Sequence, residues 1–133
     1  MENKGIWIDK EKAHIVTISG ENIDMVTILA TESVVQSLEL ERPGGAQEII
    51  KDRKVLEREK LRTNNFIKSI VSKLKNTKNL LVLGPSMMGQ RFAKVLQNDY
   101  PKIGARIKDV KRADKMTKNQ LKALVKEYYM PLG

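Results

Sequence analysis

The first thirty residues read as three short apolar runs broken by polar turns. Residues 5–9 (GIWID) and 13–18 (AHIVTI) are rich in β-branched side chains, and the turn Asp9-Lys10-Glu11-Lys12 separates them. Ser19-Gly20-Glu21-Asn22 marks a second turn before residues 23–30 (IDMVTILA). Three consecutive runs with tight turns predict an antiparallel meander. Side chains alternate across a strand, so Ile15 and Thr17 share one face while His14, Val16 and Ile18 share the other. The second face, at its Val16 and Ile18 end, is the expected core face.

The pattern then changes. Residues 31–53 lack periodicity, contain Pro43-Gly44-Gly45 and mix both charges, which predicts an exposed, flexible loop. A helix is expected over about 54–75, with Phe66, Ile67, Ile70, Val71 and Leu74 as its apolar stripe. The unbroken run 79–84 (NLLVLG) predicts a strand covered on both faces. Gly84-Pro85-Ser86 turns the chain, and Ser86 is the expected N-cap of a helix over about 87–98, with Met88, Phe92, Val95 and Leu96 inward. Pro101 closes that segment and a last strand is expected over 103–111. Thr117-Lys118-Asn119-Gln120 has the form of a capping box, opening a helix over about 118–129 that buries Leu121, Leu124 and Val125. The resulting order, βββαβαβα, predicts one α/β domain over residues 1–133: a mixed five-stranded sheet with helices on both faces.

Composition narrows the function classes. No cysteine is present, which excludes a disulfide framework and a thiolate metal site. A single histidine, His14, excludes an all-histidine zinc site within one chain. No apolar run approaches the ~18 residues needed to cross a bilayer, so no membrane partner is expected and the cytoplasm is the expected location. Charge is segregated. Residues 1–41 hold three Lys/Arg against eight Asp/Glu, a net of −5, so the rest of a +9 chain carries +14. A segregated basic portion of this size points to a polyanion, with RNA, DNA or the ribosome foremost.

Few residue constellations carry chemistry. Asp9, at the end of the first strand, occupies the place of a metal-binding acid in ribonuclease H-like nucleases, which share this element order. Two-metal chemistry needs several converging carboxylates, and the end of the fourth strand offers none. A turn role is therefore expected for Asp9, and no bound metal or cofactor. His14 lacks a neighbouring nucleophile in sequence and reads as structural. The basic positions divide into two sets. Lys51, Arg53, Lys54, Arg58, Lys60 and Arg62 precede or open the long helix; Arg106, Lys108, Lys111 and Arg112 lie on or beside the last strand. Aromatic residues make up only 5% of the chain, which favours phosphate contact with structured RNA over base stacking. Gly44-Gly45-Ala46-Gln47 could bring backbone N–H groups and a glutamine amide into a tight site.

Three segments, WIDKEKAHIV, LLVLGPSMMGQRFAKVL and VKRADKMTKNQLKALVKEYY, resemble a group of small bacterial translational machinery proteins. These are related to the central domain of archaeal and eukaryotic class-1 peptide-chain release factors and of the ribosome-rescue factor Pelota. The resemblance covers most of the chain and is most specific from Ala113 to Leu121. It implies a ribonuclease H-like fold and a ribosome or tRNA partner. In release factors a Gly-Gly-Gln loop before a long basic helix promotes hydrolysis of peptidyl-tRNA. Gly44, Gly45 and Gln47 match that place, but Ala46 intervenes. One inserted residue displaces the amide by ~3 Å; a misplacement of that size costs on the order of 100-fold in rate. Three readings therefore stand: a translation factor binding RNA through a basic surface, a peptidyl-tRNA hydrolase acting through Gly44, Gly45 and Gln47, and a non-catalytic module whose basic face meets an acidic protein.

Overall fold

A computed structural model describes residues 2–30 and 63–130. The expected loop over 31–53 and the opening of the expected long helix lie outside these residues. The chain begins with β1 (Glu2–Ile8), β2 (Lys12–Ser19) and β3 (Asn22–Leu29). Helix α1 is described over 63–72. Then follow β4 (Thr77–Gly84), α2 (Met88–Asp99), the short α3 (Pro101–Gly104), β5 (Ile107–Arg112) and α4 (Lys118–Tyr129). The strands form one sheet in the order β3-β2-β1-β4-β5. β1–β2 and β2–β3 pair antiparallel, as the meander requires, while β1–β4 and β4–β5 pair parallel. This is the mixed five-stranded α/β architecture expected, with helices on both faces.

Both faces of the sheet are buried. Ile6, Ile8, Ile15, Leu80 and Val82 pack under α1 and α2, against Phe66, Ile70, Leu74, Phe92 and Leu96. Trp7, Val16, Ile18, Leu81 and Leu83 pack on the other face against Leu121 and Val125 of α4. Consecutive residues of β4 thus enter different cores, which explains why 79–84 shows no polar alternation. Ile15 belongs to a core as fully as Val16 does, so the expectation of one core face on β2 is corrected: helices cover both.

Three further local expectations are corrected. Ser86 does not cap α2. The N-cap is Met87, and Ser86 adopts a left-handed φ of 49°. The cause is crowding at Gly84, where an added Cβ would lie 2.7 Å from the Ile8 carbonyl oxygen and 3.0 Å from the Gly89 nitrogen. Strand end and helix start are so close that the turn spends one more residue than expected. The last strand starts at Ile107 rather than 103, because Pro101 opens α3 instead of ending a helical region. Proline suits that first helical position, where its missing N–H would have had no partner. Helix α1 closes at 72, with Lys73 and Leu74 in tighter turns bonded to the carbonyls of Ile70 and Val71. The capping box is present: the Gln120 N–H donates to Thr117 Oγ1 at 3.1 Å and the Thr117 N–H to Gln120 Oε1 at 3.0 Å.

The closeness of α4 to the sheet depends on Gly5. A Cβ there would stand 2.6 Å from one Val125 methyl carbon and 2.9 Å from the other. Gly5→Ala should cost about 1–3 kcal/mol through overpacking. Val125→Ala should be destabilising through a cavity. The double variant, in which the new methyl enters that cavity, should be more stable than the sum of the two losses predicts, as read from urea unfolding. Simple additivity would show that the two side chains do not compete for this space.

Candidate nucleic-acid interface

Among the described residues, strand β5 is one edge of the sheet and pairs with β4. Its register slips after the first pair: Leu80 faces Ile107, but Leu81 faces Asp109. Lys108 is the extra residue of this irregularity, and such a slip bends a strand and re-aims its side chains. From there Asp109 and Lys111 share the face of Leu81 and Leu83, which is the α4 face. Val110 and Arg112 take the opposite face. Arg106 precedes the strand and, like Lys108, Lys111 and Arg112, is exposed.

Helix α4 brings its last turn to the same place. Leu121 and Val125 anchor it in the core, and the Tyr129 hydroxyl donates to the Lys4 carbonyl at 2.7 Å. Tyr128 stands nearly perpendicular to Tyr129, with ring centres 5.0 Å apart. The Lys111 ammonium lies 5.2 Å from the Tyr128 ring centre, and that of Lys108 lies 5.7 Å from Tyr128 and 5.9 Å from Tyr129. These are cation–π distances. Asp109 accepts the Val110 N–H at 2.9 Å, and its other oxygen is 3.5 Å from the Tyr128 hydroxyl and 4.0 Å from the Lys111 ammonium. The side chains of Lys111 and Asp109 are 53% and 42% exposed, so solvent screens this ion pair and leaves the lysine charge largely available. Burial, then the Asp109 charge, raises the Tyr128 hydroxyl above the ordinary tyrosine value. Burial, then Tyr128, raises that of Tyr129. Both rings are neutral phenols at physiological pH.

The interface is therefore a basic rim with an aromatic centre. From Arg106 to Lys126 the chain holds eight Lys/Arg against two Asp. Lys118, Lys122 and Lys126 stand four residues apart and form one stripe along α4. Of the expected RNA-binding residues, Lys108 and Lys111 are brought together, whereas Arg106 and Arg112 flank the strand at its ends. Gly44, Gly45, Gln47, Lys51, Arg53, Lys54, Arg58, Lys60 and Arg62 lie outside the described residues. Reasoning from sequence missed Lys122, Lys126, Tyr128 and Tyr129. The four-residue lysine spacing was a readable signal; the meeting of the tyrosines with Lys108 was not, because it depends on the register slip.

The remaining candidates have structural occupations. Asp9 Oδ1 accepts the N–H groups of Glu11 and Lys12, both at 2.8 Å, and so closes the first hairpin. Among the described residues, no group of three or more His, Cys, Asp or Glu side chains is placed to hold a metal ion. A cavity of about 420 Å³ opens between α1 and α2 beside the ends of β1 and β3, with Phe66, Ile67, Phe92 and Val95 in its wall. Its charged lining is Asp9, Lys10 and Arg91, and Asp9 is committed to the hairpin.

His14 is buried, with Nδ1 2.8 Å from the Thr27 hydroxyl oxygen and its ring stacked on Trp7 at 5.9 Å. Burial, aided by Lys12 and Lys118, holds its pKa below the ordinary value of 6.5. A histidine of this kind binds its proton more readily in the unfolded chain, so unfolding is accompanied by proton uptake. Its contribution to stability is full above 6.5 and is lost as pH falls below it. Urea midpoints measured between pH 7.5 and 5.5 should therefore decline with acid in the wild type and decline less in His14→Gln. Equal slopes would show that His14 does not titrate on unfolding.

No family model matches the chain, and no curated protein matches it. Similar solved structures exist. Pelota of Archaeoglobus fulgidus superposes with a TM-score of 0.56 at 15% identity, covering 95% of this chain and 31% of that one. Pelota of Thermoplasma acidophilum gives 0.54 at 16% identity, with 91% and 30% covered. An archaeal translation termination factor gives 0.54 at 16% identity, with 98% and 35% covered. The chain thus spans about a third of the length of each. At these identities the likeness is one of fold.

Proposed function

We propose that this chain is a translation-associated factor, acting in the cytoplasm, that binds ribosomal RNA or tRNA through the β5–α4 surface. The observation that carries the reading is the concentration of positive charge there: eight Lys/Arg against two Asp over 106–126, on an edge strand and the helix beside it. Lysines and arginines so placed exchange condensed counterions for phosphate contacts, which is the main source of affinity for RNA of any sequence. The fold shared with Pelota and with a translation termination factor supports a translational setting, as do the three sequence segments that resemble translational machinery proteins. The basic positions Lys51, Arg53, Lys54, Arg58, Lys60 and Arg62 extend the same reading along the chain.

Co-sedimentation with ribosomes across a salt series tests it. Bound fraction should fall steeply with salt. Lys111→Gln and Arg112→Gln should each weaken binding and reduce the log–log salt slope by about 1. Absence of binding at low salt would overturn the reading. A partner retained after ribonuclease treatment would instead favour a module that meets an acidic protein.

Gly44-Gly45-Ala46-Gln47 supports a second reading, ester hydrolysis of peptidyl-tRNA, in which Gln47 and neighbouring backbone N–H groups orient water and stabilise the developing oxyanion. The extra Ala46 predicts release far slower than an uninterrupted motif would give. On this reading, Gln47→Ala lowers release of a labelled aminoacyl group from ribosome-bound tRNA by on the order of 100-fold. An unchanged rate removes Gln47 from the chemistry.

A further inference from the structure

We propose that Tyr128, flanked by Lys108 and Lys111, is a seat for one unpaired RNA nucleotide, with the base stacked on the phenol ring and the adjoining phosphates on the two ammonium groups. This rests on the RNA-binding reading above and specifies what part of the RNA the surface takes. Aromatic side chains are scarce in the chain, yet two of its three tyrosines meet at this one corner of the sheet, beside the exposed lysines of β5. The proposal departs at this position from the expectation of phosphate contact without stacking.

Two features of the site favour a nucleotide over a bare phosphate. The Lys108 and Lys111 ammonium groups lie within 6 Å of the Tyr128 ring centre on long, exposed stems. They can leave the ring for phosphate oxygens while a base takes their place. Meanwhile Tyr129, fixed by its 2.7 Å bond to the Lys4 carbonyl, packs edge-on against Tyr128 and restricts that ring in advance of binding. A ring already ordered loses less freedom when a base stacks on it.

The seat discriminates between RNA forms. Bases inside a duplex are stacked on each other and present no face to a side chain, whereas an unpaired base does. Fluorescence anisotropy with a labelled twelve-nucleotide oligouridylate and with a hairpin duplex separates the two. Tyr128→Leu should weaken oligouridylate binding about tenfold and leave both its salt slope and the hairpin affinity unchanged. Lys108→Gln and Lys111→Gln should weaken both ligands and lower the oligouridylate slope by about 0.7 each. Tyr128→Trp, which keeps an aromatic face, should retain affinity and show tryptophan quenching on binding beyond that of the unaltered protein, whose single tryptophan, Trp7, is buried. Equal losses on both RNAs, or no loss, in Tyr128→Leu would overturn the seat while leaving the basic-surface reading intact. Failure of the unaltered protein to bind either RNA would overturn both.

Discussion

Lys4 joins the central strand to the helical layers on both of its faces. Its ammonium donates to the Lys73 carbonyl at 2.7 Å, at the close of α1, and its own carbonyl accepts the Tyr129 hydroxyl at 2.7 Å, at the close of α4. Within the sheet the same residue is paired with Thr17 of β2 and Leu80 of β4. The carbonyls that end a helix have no partner within it, and a lysine is well suited to supply one. Thr77, buried at the start of β4, does the same for the Leu74 carbonyl at 2.6 Å. Burial lowers the Lys4 pKa, with Glu2 opposing that shift, so the ammonium is held against a desolvation cost that its carbonyl contact offsets. β1 is also where the sheet changes from antiparallel to parallel pairing, so any displacement of Lys4 would disturb both halves of the sheet and both layers.

How much of this was legible in the sequence follows from which forces are local. The meander could be read because Asp9 and Gly20 sit in turns whose chemistry is confined to a few residues. Asp9 bonds within its own hairpin, and Gly20 takes a positive φ of 62°. The capping box could be read for the same reason. Burial of β4 on both faces was written in its unbroken apolar run. By contrast, the position of Ser86 depends on how closely Gly84 approaches Ile8 and Gly89, which are distant or later in the chain. The start of β5 depends on Gly104 lying against the backbone of Gln97, a contact that an alternating apolar pattern over 103–111 cannot reveal.

The site divides along the same line. Lys108 and Lys111 could be listed as basic residues, but their shared neighbour could not. It takes the register slip at Leu80–Leu81 to put Asp109 and Lys111 on the α4 face, and it takes the Tyr129–Lys4 bond to fix the end of α4 there. Tyr128, next in sequence to Tyr129, is then carried to the lysines. The central tether and the candidate interface are parts of one arrangement: the bond that closes the α4 layer also places the aromatic ring among the cations.

The two edges of the sheet differ in charge, and this gives the interface a direction. Among the described residues β3 forms the far edge, with exposed acids Glu21 before it and Asp24 within it, whereas β5 carries exposed Lys108, Lys111 and Arg112. On the proposed reading, a polyanion is drawn to the second of these edges, over a range set by the ionic strength. Attraction of that kind selects an edge but not a ligand, because any chain of phosphates satisfies it. Selection among nucleic acids needs a contact made with something other than charge. At the β5 edge the proposed contact of that kind is the Tyr128 ring, which lies beside Asp109 and edge-on to Tyr129 and is bordered by the two lysines. On the proposed reading, long-range charge brings RNA to this edge, and the ring determines which of its bases can settle there.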